Sequence, residues 1–250
     1  MYNDLMPVNI YEIRVCNACG LRYPLVTGHP FGTRCPACIG ETRVVLSRQL
    51  LTEPGVTPPL DSNTGDTVGE EKTGGLHRSR NLAVLLDNIR SAWNVGSMLR
   101  SADGFGFMHA YLCGITPTPD NGAVTKTSLG AEQTVPWSYH KDAEKLVRGL
   151  KKEGWKVYGL EEESRAIDIS QAYLFEDFAS VTYKSQREVL IVGNEVTGVD
   201  PELLDLCDHI FTIPMRGEKK SFNVAIAFGI AAYALTHQTV KRRNQKKRLS

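Results

Sequence analysis

The chain has 250 residues, 42% of them hydrophobic, and a formal net charge of +1, enough for one domain of ordinary size with a full core plus something smaller. No apolar run reaches the roughly eighteen residues of a membrane span, and the N-terminus, Met1 to Pro7, lacks a signal peptide's basic patch and apolar core, so no membrane contact and a cytoplasmic location are expected. Acids outnumber bases between residues 76 and 240, which excludes a nucleic-acid grip by bulk charge and leaves only the ends or local patches for it.

Residues 1–48 form a first unit. Cys16-x2-Cys19-Gly20 and Cys35-x2-Cys38-x-Gly40 are two knuckles separated by fifteen residues. That spacing predicts one tetrahedral structural zinc bound by Cys16, Cys19, Cys35 and Cys38, with no vacancy for a catalytic water. A pair of disulfides is the alternative, disfavoured in a cytoplasmic chain. His29 is a conceivable substitute ligand, but four correctly spaced thiols leave it no place. Leu21, Tyr23, Leu25, Val26 and Phe31 make a small core, so metal should decide whether the unit folds. Arg14, Arg22, Arg34, Arg43 and Arg48, with Tyr23 and Phe31 for stacking, suit contact with RNA, and a protein contact is the competing reading.

Residues 49–79 read as a flexible linker, rich in Pro and Gly and poor in large apolar side chains. From residue 80 to 238 strand and helix signals alternate. Leu82 to Leu86, Ala110 to Cys113, Trp155 to Leu160, Val189 to Val192 and Ile210 to Ile213 read as strands. Ala92 to Ala102, Lys141 to Glu153, Pro201 to Cys207 and Phe222 to Leu235 read as helices, the last apolar all round and therefore buried. Short continuous apolar strands indicate a mostly parallel sheet with helices on both faces, an α/β class. Cys113 and Cys207 read as plain buried residues. Residues 239–250 are a solvated basic tail.

Ligands of such sheets bind beyond the carboxyl ends of the strands. Gly193-Asn194-Glu195 and Ile213-Pro214-Met215 lie there, with Ser221-Phe222-Asn223 just after. No phosphate-binding P-loop, dinucleotide fingerprint, nucleophile elbow or His-Glu-x-x-His is present. Asn94 sits near a helix start and reads as a cap or a substrate contact. Gly96, one turn before Arg100, reads as space beside the guanidinium for a phosphate or ribose. Glu195 reads as a local ion partner or as a group that orients Arg100 from a partner subunit, and Ser221 as the N-cap of the final helix or a polar site residue.

Asn94-x-Gly96-x3-Arg100, Gly193-Asn194-Glu195-x2-Gly198 and Ile213-Pro214-Met215 with Ser221-Phe222-Asn223-Val224 together resemble, in order, the three motifs of the SpoU/TrmH family of RNA 2'-O-ribose methyltransferases, over roughly residues 81 to 235. Phe222 stands where that family usually has Leu, and Ala225 where a Ser is common. The resemblance implies a SPOUT domain with a C-terminal trefoil knot, S-adenosylmethionine as cofactor, tRNA or rRNA as substrate, and a homodimer whose site borrows residues from both subunits. It assigns Arg100, Asn94, Glu195, Ser221 and Asn223 to catalysis, and Gly193, Gly198, Ile213, Met215 and Phe222 to the cofactor. A base-methylating relative and an inactive RNA-binding adaptor are the alternatives.

Overall fold

The computed structural model describes residues 10–29, 32–49, 81–174 and 186–237. Phe31, most of the expected linker and the basic tail lie outside these residues.

The first unit is a three-stranded antiparallel ribbon of order β2-β1-β3, built from β1 (Ile10–Cys16), β2 (Arg22–Val26) and β3 (Thr42–Gln49). Cys16, Leu21, Tyr23 and Cys35 are its core, and Ile115 of the following domain packs against them. The ribbon therefore completes its hydrophobic centre with a residue of its neighbour.

The second unit holds a seven-stranded sheet of order β6-β5-β4-β9-β7-β10-β8. Its strands are β4 (Asn81–Asp87), β5 (His109–Cys113), β6 (Trp137–His140), β7 (Lys156–Leu160), β8 (Ile167–Asp168), β9 (Arg187–Val192) and β10 (His209–Thr212). All neighbours pair parallel. The helices are α1 (Ala92–Gly104), α2 (Gly122–Ser128), α3 (Ala131–Thr134), α4 (Ala143–Lys152), α5 (Pro201–Leu204) and α6 (Val224–His237).

The continuous apolar runs have the expected cause. In β4, Leu82, Val84 and Leu86 enter the core beneath α1 and α6, while Ala83 and Leu85 enter the core beneath α4 and α5. Leu190 and Val192 of β9 follow the first set, Val189 and Ile191 the second. Period-two alternation with both faces buried leaves no polar position within the runs 82–86 and 189–192, and the polar residues Asp87 and Glu188 stand at their ends.

Strand order runs outward from β4 through β5 to β6, and then resumes on the other side of β4. The β4/β9 boundary is thus the topological switch point, where the loops after the two strands diverge and leave a crevice.

Three sequence expectations differ from the fold. The helix expected over Pro201 to Cys207 ends at Leu204, and its last residues form a turn. The strand β6 and the short helices α2 and α3 carried no periodic signal, because each is only four to seven residues long. The final helix is not buried all round: Ile226, Ile230 and Tyr233 are exposed. They recur at i, i+4 and i+7, so one stripe of an apolar helix faces outward.

Candidate active site

Helix α1 begins one short turn after β4. Ser91 is its N-cap, the Ser91 Oγ accepting from the Asn94 amide at 3.3 Å. Asn94 is therefore inside the helix and does not cap it. Glu195, from the loop after β9, reaches the same helix end. Its carboxylate accepts from the Arg90 amide at 2.8 Å, the Ser91 amide at 3.1 Å and Asn94 Nδ2 at 2.9 Å. The acid thus sits on the positive end of the helix dipole and satisfies amides that the helix itself leaves open.

The third segment joins them. Asn223 Nδ2 donates to Asn94 Oδ1 at 3.3 Å, while Asn223 Oδ1 accepts from the Ala225 amide at 2.9 Å. Asn223, one residue before α6, is thereby its cap, a role the sequence had offered to Ser221. Ser221 and Phe222 are exposed beside it.

The loop after β9 is closed by its own backbone. Asn194 and Gly198 exchange N–H to C=O bonds of 3.0 and 2.9 Å. A Cβ on Gly193 would lie 2.2 Å from the Val199 nitrogen, so Gly193 permits this closure. Gly198, at φ +72°, would place a Cβ 2.3 Å from Glu161 Oε2. That oxygen accepts from the Val199 amide at 2.8 Å, and burial pushes the Glu161 carboxyl above its ordinary pKa. Beyond β10, Ile213 and Met215 are half-buried, and the Pro214 carbonyl and Met215 backbone have no hydrogen-bond partner among the described residues. An apolar wall with open amide and carbonyl groups fits a flat heteroaromatic base.

Gly96 does something other than expected. Its Cβ would lie 1.9 Å from Thr127 Oγ1 and 2.3 Å from the Val124 carbonyl oxygen. The missing side chain lets α2 pack on α1, and opens no space beside Arg100. Arg100 is exposed, with no ion-pair partner among the described residues. Seven residues after Trp93, it shares that side chain's exposed face of α1, turned about 120° from Asn94. Within one chain, Asn94, Glu195 and Asn223 meet; Arg100 does not join them.

The four cysteines converge. Their Sγ atoms all lie within 4.8 Å of one another, Cys16 to Cys38 at 3.5 Å and Cys19 to Cys35 at 3.6 Å. Disulfide bonds are far shorter, and all four cysteines are free. Tetrahedral Zn–S bonds of about 2.3 Å span S–S edges of roughly 3.8 Å, close to what is seen. Gly40 lies against the thiols, where a Cβ would be 3.2 Å from Cys38 Sγ. The Cys19 amide points at Cys16 Sγ and, foremost among several groups, draws its pKa down to about 6.

Part of the expected RNA face of the ribbon is internal. Tyr23 is buried, its hydroxyl donating to the Arg34 carbonyl, so it cannot stack on a base. Arg14 is buried against Glu12. Arg22 is buried in the interface with the second unit, Nε donating to Asp200 Oδ2 and Nη2 to Glu202 Oε2, both at 2.7 Å. Arg34, Arg43 and Arg48 remain exposed.

Sequence reasoning missed a buried polar line behind the loops. The Asp200 amide donates to Asp87 Oδ2 at 3.1 Å, Asn88 Nδ2 to Asp87 Oδ1 at 2.7 Å, and Asn194 Nδ2 to the Asn88 carbonyl at 2.7 Å. Burial first, and the Asp200 charge second, push the Asp87 carboxyl up to about 7. The one available signal was an Asp-Asn pair at the end of a wholly apolar strand.

Three motif segments far apart in the chain thus meet at one switch point. Residues 81–233 match the model of the SpoU rRNA Methylase family. The chain belongs to that family. Among its SpoU relatives, the tRNA (guanosine(18)-2'-O)-methyltransferase of Thermus thermophilus is 32% identical over 166 residues, 66% of this chain and 78% of that protein. The 23S rRNA (guanosine(2553)-2'-O)-methyltransferase RlmP of Bacillus subtilis is 34% identical over 154 residues, 61% of this chain and 56% of that protein. Among solved structures, the SpoU methyltransferase AviRb of Streptomyces viridochromogenes in complex with the cofactor AdoMet superposes with a TM-score of 0.55 at 25% identity, covering 66% of this chain and 62% of that one. The SpoU match starts at β4, so the cysteine ribbon stands outside it.

Proposed function

We propose that this protein transfers a methyl group from S-adenosylmethionine to a ribose 2'-hydroxyl of tRNA or rRNA. One observation carries the reading: Asn94, Glu195 and Asn223, one from each family motif, form a single hydrogen-bonded group at the carboxyl ends of the strands. The Thermus and Bacillus relatives are both named as guanosine 2'-O-methyltransferases.

In this reading the loops Gly193 to Gly198 and Ile213 to Met215, with Phe222, hold the cofactor through backbone groups and apolar walls. When bound, the cofactor supplies an electrophilic methyl carbon. The chain's task is to place the hydroxyl in line with it and to manage the proton. A ribose hydroxyl titrates roughly five to six units above neutrality, so full deprotonation costs about 7 to 8 kcal/mol. A guanidinium does not deprotonate in proteins, so Arg100 serves as a cation that holds the adjacent phosphate and stabilises developing alkoxide charge. A phosphate oxygen or solvent takes the proton, and Ser221 serves as a relay that passes on its own hydroxyl proton as it accepts that of the ribose. Glu195 and Asn94 set the position of α1, which carries Arg100.

Arg100 lies apart from the other motif residues of its own chain, and the homodimer resolves this. The exposed side chains Trp93, Ile226, Ile230 and Tyr233 on the contacting helices α1 and α6 form an apolar face suited to a second copy. Such a dimer would set Arg100 of one protomer against the cofactor loops of its partner. The C-terminal trefoil knot belongs to the same reading, carried by the family resemblance alone.

The four-cysteine cluster holds one structural zinc, and Arg34, Arg43 and Arg48 on the ribbon offer the local positive charge that the main domain lacks. Among the described residues no helix is long and apolar enough to cross a membrane, and a cytoplasmic enzyme accords with the substrate.

The test is methyl transfer from labelled S-adenosylmethionine to tRNA and to rRNA, followed by digestion to nucleosides. A 2'-O-methylated nucleoside is expected. A base-methylated product, or none, would overturn the assignment.

A further inference from the structure

Asp87 and Asp200 are 2% and 4% exposed, adjacent, and joined through the Asp200 amide. Two carboxyl groups buried side by side do not both ionise freely, and a proton held on one together with a cation on the other relieves the repulsion. That cation comes from outside the family-matched residues. Arg22, itself 4% exposed, donates from Nε to Asp200 and from Nη2 to Glu202, with Nη1 3.5 Å from Glu144. Burial alone would lower its pKa; the Asp200 hydrogen bond and the charges of Asp200, Glu202 and Glu144 reverse this and raise it.

The seating of Arg22 involves three loops of the second unit. Its amide donates to the Lys141 carbonyl at 3.0 Å, just after β6. Its carbonyl oxygen would lie 2.8 Å from a Cβ on Gly114, just after β5. Gly114 has φ +64°, and its Cβ would also meet Asn88 Oδ1 at 2.0 Å, so glycine is required where the ribbon backbone passes. From Asp200 the polar line continues through Asp87 and Asn88 to Asn194, whose Oδ1 accepts from the Val196 and Thr197 amides at 2.9 and 3.1 Å. Asn194 adjoins Glu195.

We infer that Arg22 is a positioning residue of the loop 193–200, and that the cysteine ribbon is, besides any contact with RNA, a built-in support of the cofactor site. The inference rests on the methyltransferase reading only for what the loop binds. Its structural content is that the loop's rear anchor, the Asp87–Asp200 pair, is charge-compensated by a residue of the ribbon. Zinc in the tetrad acts on the loop through the same contact, since Arg22 follows the first knuckle by three residues.

The test uses the full chain as wild type, Arg22→Met, and Arg22→Met with Asp200→Asn. The methionine keeps the apolar stem and removes the fork; the asparagine removes one of the paired charges while keeping the Oδ1 that caps α5. Zinc content is measured in each, then deuterium exchange of peptides covering 193–203, then S-adenosylmethionine affinity by calorimetry.

For Arg22→Met, retained zinc, exchange at 193–203 at least tenfold faster, and cofactor affinity at least tenfold weaker are expected, with KM for the cofactor raised and kcat at saturation within about threefold. The double variant should recover most of both losses. Unchanged exchange in Arg22→Met, or a loss that Asp200→Asn leaves in place, overturns the inference. A wild type that binds no S-adenosylmethionine would sink the methyltransferase reading instead, and the exchange comparison would still judge the coupling.

Discussion

Glu195 closes the N-terminus of α1 from a different loop, its Oε1 2.9 Å from Asn94 Nδ2 and its two oxygens on the amides of Arg90 and Ser91. One carboxylate thereby ties the loop after β9 to the helix that carries Arg100. In Glu195→Gln an amide NH2 would face a donor and the charge on the helix end would go. Loss of about 1 kcal/mol of stability is expected from the cap and dipole contributions. Turnover should fall at least about tenfold, since α1 loses its reference to the loop. Melting curves and steady-state kinetics on the pure variant check this, and unchanged turnover would refute the positioning role.

Arg100→Lys keeps the charge and removes the planar fork. Methyl transfer should drop about a hundredfold or more while calorimetric affinity for S-adenosylmethionine stays within about twofold. Intact turnover would remove Arg100 from the reaction.

Asp87 gives a pH dependence with a definite sign. Its carboxyl is raised from 3.8 to about 7, by burial and then by the Asp200 charge. Between those values the folded chain holds a proton that the unfolded chain has released, so this group's contribution to stability falls as pH rises toward 7. It is fully present only below the unfolded value. The slope approaches roughly 1.4 kcal/mol per pH unit inside the window. Thermal melts from pH 5 to 8 should show Asp87→Asn with a flatter profile than wild type; parallel profiles would contradict the shift.

The outward stripe of α6 predicts the oligomeric state. Tyr233 is 60% exposed and stacks on His237 at 4.6 Å between ring centroids, while Ile226 is 56% exposed. Ile226→Glu with Tyr233→Asp should convert a dimer to a monomer in sedimentation velocity without unfolding it. Methyl transfer should be lost with the dimer. A wild-type monomer in the same experiment would exclude the shared site.

The legible and illegible parts of the chain differ in physical kind. Val189 to Val192 could be read as a central strand because both faces of β9 are buried, which leaves its mark on every residue. The tetrad could be read because Cys-x2-Cys places two thiols on one turn. Asn94 and Ser221 were each open to a capping role, and the structure gives the caps to Ser91 and Asn223. Capping depends on where a helix begins to within one residue, and several polar residues crowd each start. Gly96 looked like room for a ligand because a missing side chain does not say which neighbour fills the space.

Sequence alone determined the α/β class, the parallel sheet, the four-cysteine cluster and the family, since each is written in spacing along the chain. Tertiary structure decided that Asn94, Glu195 and Asn223 touch, that Arg100 stands apart from them, that one stripe of α6 faces outward, and that Arg22 is buried against Asp200. The first depends on strand order, since β9 lies beside β4; the second and third on the rotational phase of α1 and α6; and the fourth on the seat of the ribbon over the loops after β5 and β6. Hydrophobic period reports which face of an element is buried, and not which element covers it.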